Sequence, residues 1–180
     1  LAKTDEEIHI INQPRLGTVG FDFFVPVDSL DEWKLRLAEH VPLCDEAAFE
    51  RARILATIPR FGQDFTEANL APESGIEARA ISYSKGCYIG QEIIARIRTY
   101  GKVNRILRGL NLDSVVAEGD EIFLGDNMVG TLSSVITKPD AALALIHRDA
   151  AERGTSLRVD TKNGSVTAEV ATLPFEKFAG

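Results

Sequence analysis

The sequence is poor in the residues that build cross-linked or metal-centred proteins. It has two cysteines, Cys44 and Cys87, in 180 residues, and neither has a CxxC partner. That excludes a disulfide framework and points to a reducing compartment. The three histidines, His9, His40 and His147, are widely scattered. Neither set has the spacing of a metal-ligand cluster, so no protein-built metal site is expected. Neither GxGxxG nor a P-loop is present, which leaves a nucleotide site without support. No apolar run approaches the roughly 20 residues of a membrane helix, so no membrane association is expected. The opening LAKTDEEIHI has neither signal-peptide architecture nor Arg/Ser-rich transit character. It starts at Leu1 rather than at a methionine, so residues upstream of it are expected to be missing.

What is present has a globular profile, with 44% hydrophobic and 26% charged residues. The net charge of −7 argues against general nucleic-acid binding, and no direct DNA contact is expected. The charge is unevenly spread. Between Ser84 and Arg108 lie six basic residues (Lys85, Arg96, Arg98, Lys102, Arg105, Arg108) and one acid, Glu92. A basic island on an acidic chain suits one specific anion better than polyanions at large. Charge alone fits a solvated helix face equally well.

The stretch from Glu7 to Val27 predicts a β-hairpin. Ile8 and Ile10 alternate on its first arm, Pro14 to Gly17 supply the turn, and Val19, Phe21, Phe23, Val25 and Val27 alternate on a half-buried second arm. Ser29 and Glu32 have capping-box spacing, with Leu30, Trp33, Leu37 and Val41 as a buried stripe behind them. A second helix is expected from the N-cap Asp45, with Ala48, Ala52 and Leu55 facing inward and Pro59 ending the pattern. After an irregular loop, IIARIRTYG predicts a short helix stopped at Gly101. From Val103 onward, short apolar or alternating segments separated by Gly119, Gly125-Asp126-Asn127, Lys138-Pro139-Asp140 and Asn163-Gly164 predict a small β-barrel or sandwich. No internal repeat or low-complexity segment is present.

The stretch SKGCYIGQE, residues 84–92, concentrates the chemistry. Gly86 and Gly90 flank Cys87, Tyr88 and Ile89, and glycine allows a backbone or a ligand to come close. Gly90-Gln91-Glu92 opens a helix, where free N–H groups favour negative charge. Lys85 and that helix start place Cys87 where a thiolate is favoured, while Glu92 and Arg96 have the spacing of a helical ion pair. No histidine lies near to act as base for a nucleophilic thiol. The residues alone leave Cys87 open, as a working thiol or as a small structural side chain; Cys44 reads as structural.

Lys85-Gly86-Cys87-Tyr88-Ile89-Gly90-Gln91-Glu92, continued by Arg96, Gly101 and Arg105, resembles the signature of the YgfZ-type folate-binding proteins of iron–sulfur cluster assembly or repair. These are relatives of aminomethyltransferase, the glycine cleavage T-protein. The resemblance extends to Arg15–Asp22, to the P-x-x-G-x-D loop Pro59–Asp64, to Val129–Ser134 and to Leu173-Pro174-Phe175. The chain looks like a C-terminal portion of such a protein. The implied fold class is α+β: residues 1–101 as half of an aminomethyltransferase-like folate-binding domain with ferredoxin-like pieces, and 102–180 as a small C-terminal β-barrel.

One departure separates the two branches. Aminomethyltransferases carry R-x-E-x-G before the loop, with the Glu holding the pterin. Here Arg53-Ile54-Leu55-Ala56-Thr57 puts Leu55 at the carboxylate and Thr57 at the glycine. Leucine cannot accept the pterin's N–H bonds. The resemblance therefore implies a tetrahydrofolate-binding accessory protein for iron–sulfur enzymes, tRNA-modifying ones included. Its ligand would be tetrahydrofolate or a derivative and its partners client iron–sulfur proteins. A monomer is expected, in the bacterial cytoplasm or, in a eukaryote, the mitochondrial matrix. The implied folate-site residues are Lys85, Gly86, Tyr88, Gly90, Gln91, Glu92 and Arg96, with Cys87 supplying a thiol. Arg98, Lys102 and Arg105 are expected anion contacts, suited to a folate's glutamate tail. Two alternatives stay open: a folate-dependent one-carbon transferase of the aminomethyl type, and a non-enzymatic interaction module.

Overall fold

The computed structural model describes residues 8–100, 103–138, 140–171 and 175. The chain divides into two compact units, Leu1–Arg53 and Ile54–Gly180. The change of pattern expected at residues 101–103 is a change of structure type, and compactness divides the chain elsewhere.

In the first unit, β1 (His9–Asn12) and β2 (Phe21–Phe24) pair antiparallel, with His9 opposite Phe24. The hairpin is present, but its second arm is shorter than the alternation predicts, because a 3-10 turn takes over at Val27–Ser29. That arm is also not half-buried: Val19, Phe21 and Val27 are all exposed. α1 (Leu30–Ala38) starts where expected, yet the capping box does not form. Ser29 closes the preceding 3-10 turn with φ −100° and ψ 0°, outside the extended conformation that aims an N-cap hydroxyl at the helix. The stripe expected on α1 is covered in part: Trp33 and Leu37 are half-buried, Trp33 lying 6.3 Å from the Phe23 ring, while Leu30 and Val41 are exposed. A two-stranded ribbon offers too small a surface to cover all four.

α2 (Glu46–Leu55) is capped as expected, the Asp45 carboxylate accepting the Ala48 N–H at 2.8 Å. Its inward positions differ from expectation: Ala48 is exposed, and Arg53 and Ile54 are the buried residues. Ile54, the first residue of the second unit, belongs to that unit's own apolar cluster. Two short turns follow, a 3-10 turn at Ala71–Ser74 and α3 (Glu77–Ala80), and then α4 (Gln91–Tyr100). No helix among the described residues is long and apolar enough to cross a membrane.

The rest is a barrel, as the punctuated short segments predict. β3 (Arg105–Leu112), β4 (Glu121–Leu124), β5 (Asn127–Ile136), β6 (Ala141–His147), β7 (Ser156–Thr161) and β8 (Gly164–Val170) close in the order β3-β6-β5-β4-β7-β8. Closure leaves no unpaired edge. Gly125-Asp126 joins β4 to β5 as expected, and Lys162-Asn163 joins β7 to β8, one residue ahead of the expected Asn163-Gly164 because Gly164 already pairs with Thr161; Pro139, Gly101, Leu173 and Pro174 lie outside the described residues.

β6 explains the double core. Ala142, Ala144 and Ile146 point into the barrel with Leu110, Ile122, Leu132 and Val159. The alternate residues Ala141 and Leu143 join a second cluster with Ile54, Leu107, Ala171 and Phe175. A strand covered on both faces reads as a continuous apolar run, which AALALI is. Its neighbour β5 comes very close: a Cβ on Gly130 would lie 2.7 Å from the Leu145 carbonyl oxygen. Gly130→Ala should therefore destabilise the protein by about 1–3 kcal/mol, read as a lower urea midpoint.

Candidate functional site

The loop after α2 is fixed to the barrel by one carboxylate. Gly62, at φ 88°, turns the chain so that Asp64 folds back: its Oδ2 accepts the Arg60 N–H at 2.8 Å. Its Oδ1 takes the hydroxyls of Ser133 at 2.5 Å and Ser134 at 2.7 Å. Adjacent strand residues ordinarily point to opposite faces. Here the β5–β6 register shifts between Leu132 and Ser134, and the bulge lets both serines reach one oxygen. Gln63 adds a second tie, donating to Glu118 at 2.7 Å and to the Ser133 carbonyl at 3.1 Å. Sequence reading found this loop but not its role, since a residue pair 70 positions apart leaves no local signal.

Upstream lie Arg53, Leu55 and Thr57, the stretch in which the sequence departs from the expected R-x-E-x-G pattern. Leu55 is partly buried against the apolar cluster outside the barrel, and its carbonyl accepts the Phe175 N–H at 3.2 Å. Arg53 is buried and donates two N–H groups to Glu50, at 2.8 and 2.7 Å. Thr57 adopts φ 56°, the left-handed conformation that favours glycine. Its hydroxyl oxygen and Asn111 Oδ1 are, among the described residues, the buried side-chain atoms without a hydrogen-bond partner. The backbone at Thr57 is thus that of a glycine, carried by a residue that strains to hold it.

The SKGCYIGQE corner is solvent-facing. Lys85, Gly86, Cys87, Ile89 and Gly90 are exposed, and Cys87 is a free thiol. Lys85 lies over the Tyr88 ring at 4.7 Å, while the Tyr88 N–H donates to Gln91 Oε1 at 3.1 Å. Of the two glycines, Gly90 is the one in the left-handed region, at φ 87°, where it starts α4. Glu92 and Arg96 pair at 2.7 Å, both well exposed.

The expected basic island is dispersed. Arg96 is matched by Glu92. Arg108 turns onto the barrel, donating to the Ala151 and Leu107 carbonyls at 2.9 and 3.0 Å, and burial lowers its pKa from the ordinary arginine value. Arg105 stands at the start of β3 opposite His147. Lys102 lies outside the described residues.

Arg98 is the member that enters a cleft. Its guanidinium stacks 4.0 Å from the centre of the Tyr83 ring. The Tyr83 hydroxyl in turn donates to the Glu77 carboxylate, and this bond and burial raise the tyrosine pKa, so the phenol stays protonated. The cleft measures about 580 Å³ and is also lined by Ile97, Ile106, Arg148 and Asp149. Asp149 sits 3.5 Å from both Arg148 and His147. Of the expected site residues, the structure brings Arg98 into this cleft and leaves Lys85, Cys87 and Tyr88 on the open corner; Glu77, Tyr83, Arg148 and Asp149 were not foreseen.

Comparison with known proteins places this geometry. Residues 105–177 match the family model of the glycine cleavage T-protein C-terminal barrel domain. A chloroplastic, transferase-like protein of Arabidopsis thaliana is 31% identical over 159 residues, covering 86% of this chain and 37% of that protein. An aminomethyltransferase of Corynebacterium aurimucosum is 30% identical over 173 residues, covering 89% and 46%. The crystal structure of the glycine cleavage system aminomethyltransferase T from Bartonella henselae superposes with a TM-score of 0.80, covering 92% of this chain and 49% of that one. At 18% identity that likeness is one of fold. Residues 105–177 thus match a glycine cleavage T-protein C-terminal barrel, and sequence likeness to these two relatives extends over most of the chain. The chain spans less than half the length of each of these relatives.

Two stability measurements check this geometry. Asp64→Ala should cost about 3 kcal/mol, because it strands hydroxyls and an N–H that bond a charged group. A double-mutant cycle with Ser134→Ala should give a coupling of about 1–2 kcal/mol. Thr57→Gly should stabilise by about 1 kcal/mol, since relief of the left-handed strain and loss of a buried unpaired hydroxyl exceed glycine's entropic cost. In thermal unfolding that is a rise of about 2–4 °C, with Thr57→Ala gaining less because it keeps the strain.

Proposed function

We propose that this protein binds a reduced folate, tetrahydrofolate or a derivative, and acts as a YgfZ-type accessory protein for iron–sulfur enzymes, tRNA-modifying ones among them. The observation that carries the reading is the pair Leu55 and Thr57. Thr57 keeps the backbone conformation of a glycine at φ 56°, while Leu55 replaces the carboxylate with a side chain committed to the apolar cluster. The glycine-like backbone at Thr57 supports a loop shaped for a folate site, and the acceptor an aminomethyltransferase would use there is not supplied by this segment. The exposed thiol of Cys87 beside Lys85 supports a role for the corner in redox or transfer chemistry at a client-facing surface. Client iron–sulfur proteins, rather than nucleic acid, are the partners of this reading.

A second reading is a folate-dependent one-carbon transferase, favoured by the names of the curated relatives, a transferase-like protein and an aminomethyltransferase. It needs an acceptor for the pterin from a position other than Leu55.

The full-length protein is expected to bind tetrahydrofolate in a calorimetric titration and to form no methylene-tetrahydrofolate from an aminomethylated carrier protein. Turnover of that carrier would move the assignment to the transferase, and absence of folate binding would sink both readings. In a strain lacking its own YgfZ-type protein, wild type should restore iron–sulfur enzyme activity while Cys87→Ser and Cys87→Ala should not. Full rescue by both variants would make Cys87 a structural residue.

A further inference from the structure

We infer that Asn163, in the turn between β7 and β8, is a site of covalent self-modification in the folded protein: its side-chain amide is lost through a cyclic imide formed with Gly164, leaving aspartate and isoaspartate. Asparagine is among the thermolabile side chains. The reaction needs an unengaged amide, a following residue without a side chain to block approach, and water. Asn163 is the one asparagine in this sequence that glycine follows; Asn12, Asn69, Asn104, Asn111 and Asn127 precede Gln13, Leu70, Arg105, Leu112 and Met128.

The turn leaves the amide unengaged. β7 and β8 pair as far as Thr161 opposite Gly164, so Lys162 and Asn163 alone make the loop. Both hold negative φ, whereas the two-residue loops that match the twist of flanking strands need positive φ at the first centre or at both. One hydroxyl holds this loop instead: Thr161 Oγ1 accepts the Asn163 N–H at 3.1 Å and donates to the Gly164 carbonyl at 2.7 Å. Neither bond involves the Asn163 side chain, which has no hydrogen-bond partner among the described residues. Asn163 and Gly164 are both exposed, and a Cβ on Gly164 would meet nothing within 4 Å. Asn69 shows the contrast, its Oδ1 accepting the Thr66 N–H at 2.9 Å.

In the chemical step the Gly164 nitrogen gives its proton to solvent and bonds to Cγ of Asn163. The Cγ–Nδ2 bond breaks, and the nitrogen leaves as ammonia after taking a proton from solvent. Water then opens the five-membered imide. Cleavage of the new Cγ–N bond gives aspartate, and cleavage of the original backbone C–N bond gives isoaspartate, with the main chain rerouted through the side chain. Isoaspartate adds one methylene to a loop of only two residues, which disturbs the register of Thr161 with Gly164. β7 and β8 close the barrel, against β4 on one side and β3 on the other, so the change acts on the closure itself.

The test is incubation of the full-length protein at mildly alkaline pH in oxygen-18 water, followed by peptide mapping with mass spectrometry. Asn163 should convert to aspartate and isoaspartate carrying the heavy oxygen, at a rate close to that of the same chain unfolded in guanidinium chloride. The other five asparagines should stay amides. Gly164→Ala should lose most of the conversion; because alanine is strained at φ 124°, Asn163→Gln serves as a second variant that keeps the glycine and should lose it too. The isoaspartate form should unfold at a lower temperature than either the parent or Asn163→Asp. An amide that persists at Asn163 in the folded protein while the unfolded chain converts would overturn the inference. So would equal conversion at another of the five asparagines, an undiminished rate in a folded Gly164→Ala, or an isoaspartate form that melts with the parent.

Discussion

The carboxylate of Asp64 sits between two parts of the second unit, the loop after α2 and the bulged strand β5, and is the buried one of the polar ties that join them. Buried to 3% exposure, it would be costly if left bare, on the order of several kcal/mol. The cost is offset because every contact described is a donor: the Arg60 N–H on one oxygen and two serine hydroxyls on the other. Those donors come from different places, a tight turn made possible by Gly62 and a bulge in β5. The loop after α2 therefore holds its shape only where the barrel is already formed, and the bulged strand is satisfied only where the loop has closed. Coupling of this kind makes loop geometry a property of the whole unit rather than of its local sequence.

The barrel's second contribution is a strand that is apolar on both faces. Because β6 fills the barrel with one set of side chains and an outer cluster with the other, Ile54 and Phe175, far apart in sequence, are anchored on the same outer face. The Phe175 N–H on the Leu55 carbonyl extends that anchoring to the backbone. Leu55 is consequently a packing residue, and the stretch from Leu55 to Asp64 runs from an apolar anchor to a polar one.

Much of the barrel was legible in the sequence because its cues are local. Alternating segments such as SLRV and SVTAEV, and turn residues at Gly125-Asp126 and around Asn163, each specify their element without help. The capping position of Asp45 and the glycine start of α4 belong to the same class. The first unit was read less well for a complementary reason. The alternation of Val19 to Val27 marks apolar side chains correctly, but periodicity says nothing about whether a surface exists to cover them, and in this unit Phe21 and Val27 stay exposed. The candidate site fared in between. The corner at residues 84–92 is a contiguous motif and was visible, whereas Glu77, Tyr83, Arg98 and Arg148 converge only through the turn at α3 and the end of β6. Six basic residues within one window looked like a patch, but what each does depends on its neighbours: a carboxylate for Arg96, backbone carbonyls for Arg108, an aromatic face for Arg98.

Thr57 shows how geometry and chemistry separate in such a loop. A threonine at φ 56° holds a conformation that costs it roughly 1–2 kcal/mol, and its hydroxyl gains no bond in return. Locally, the Thr57 N–H donates to the Ile54 carbonyl at 2.9 Å and closes a turn at the end of α2. Flanking anchors hold the segment on either side, Leu55 against the outer cluster and Asp64 against the serines. The glycine-like backbone at Thr57 is therefore a product of this chain's own anchors, an apolar one at Leu55 and a polar one at Asp64.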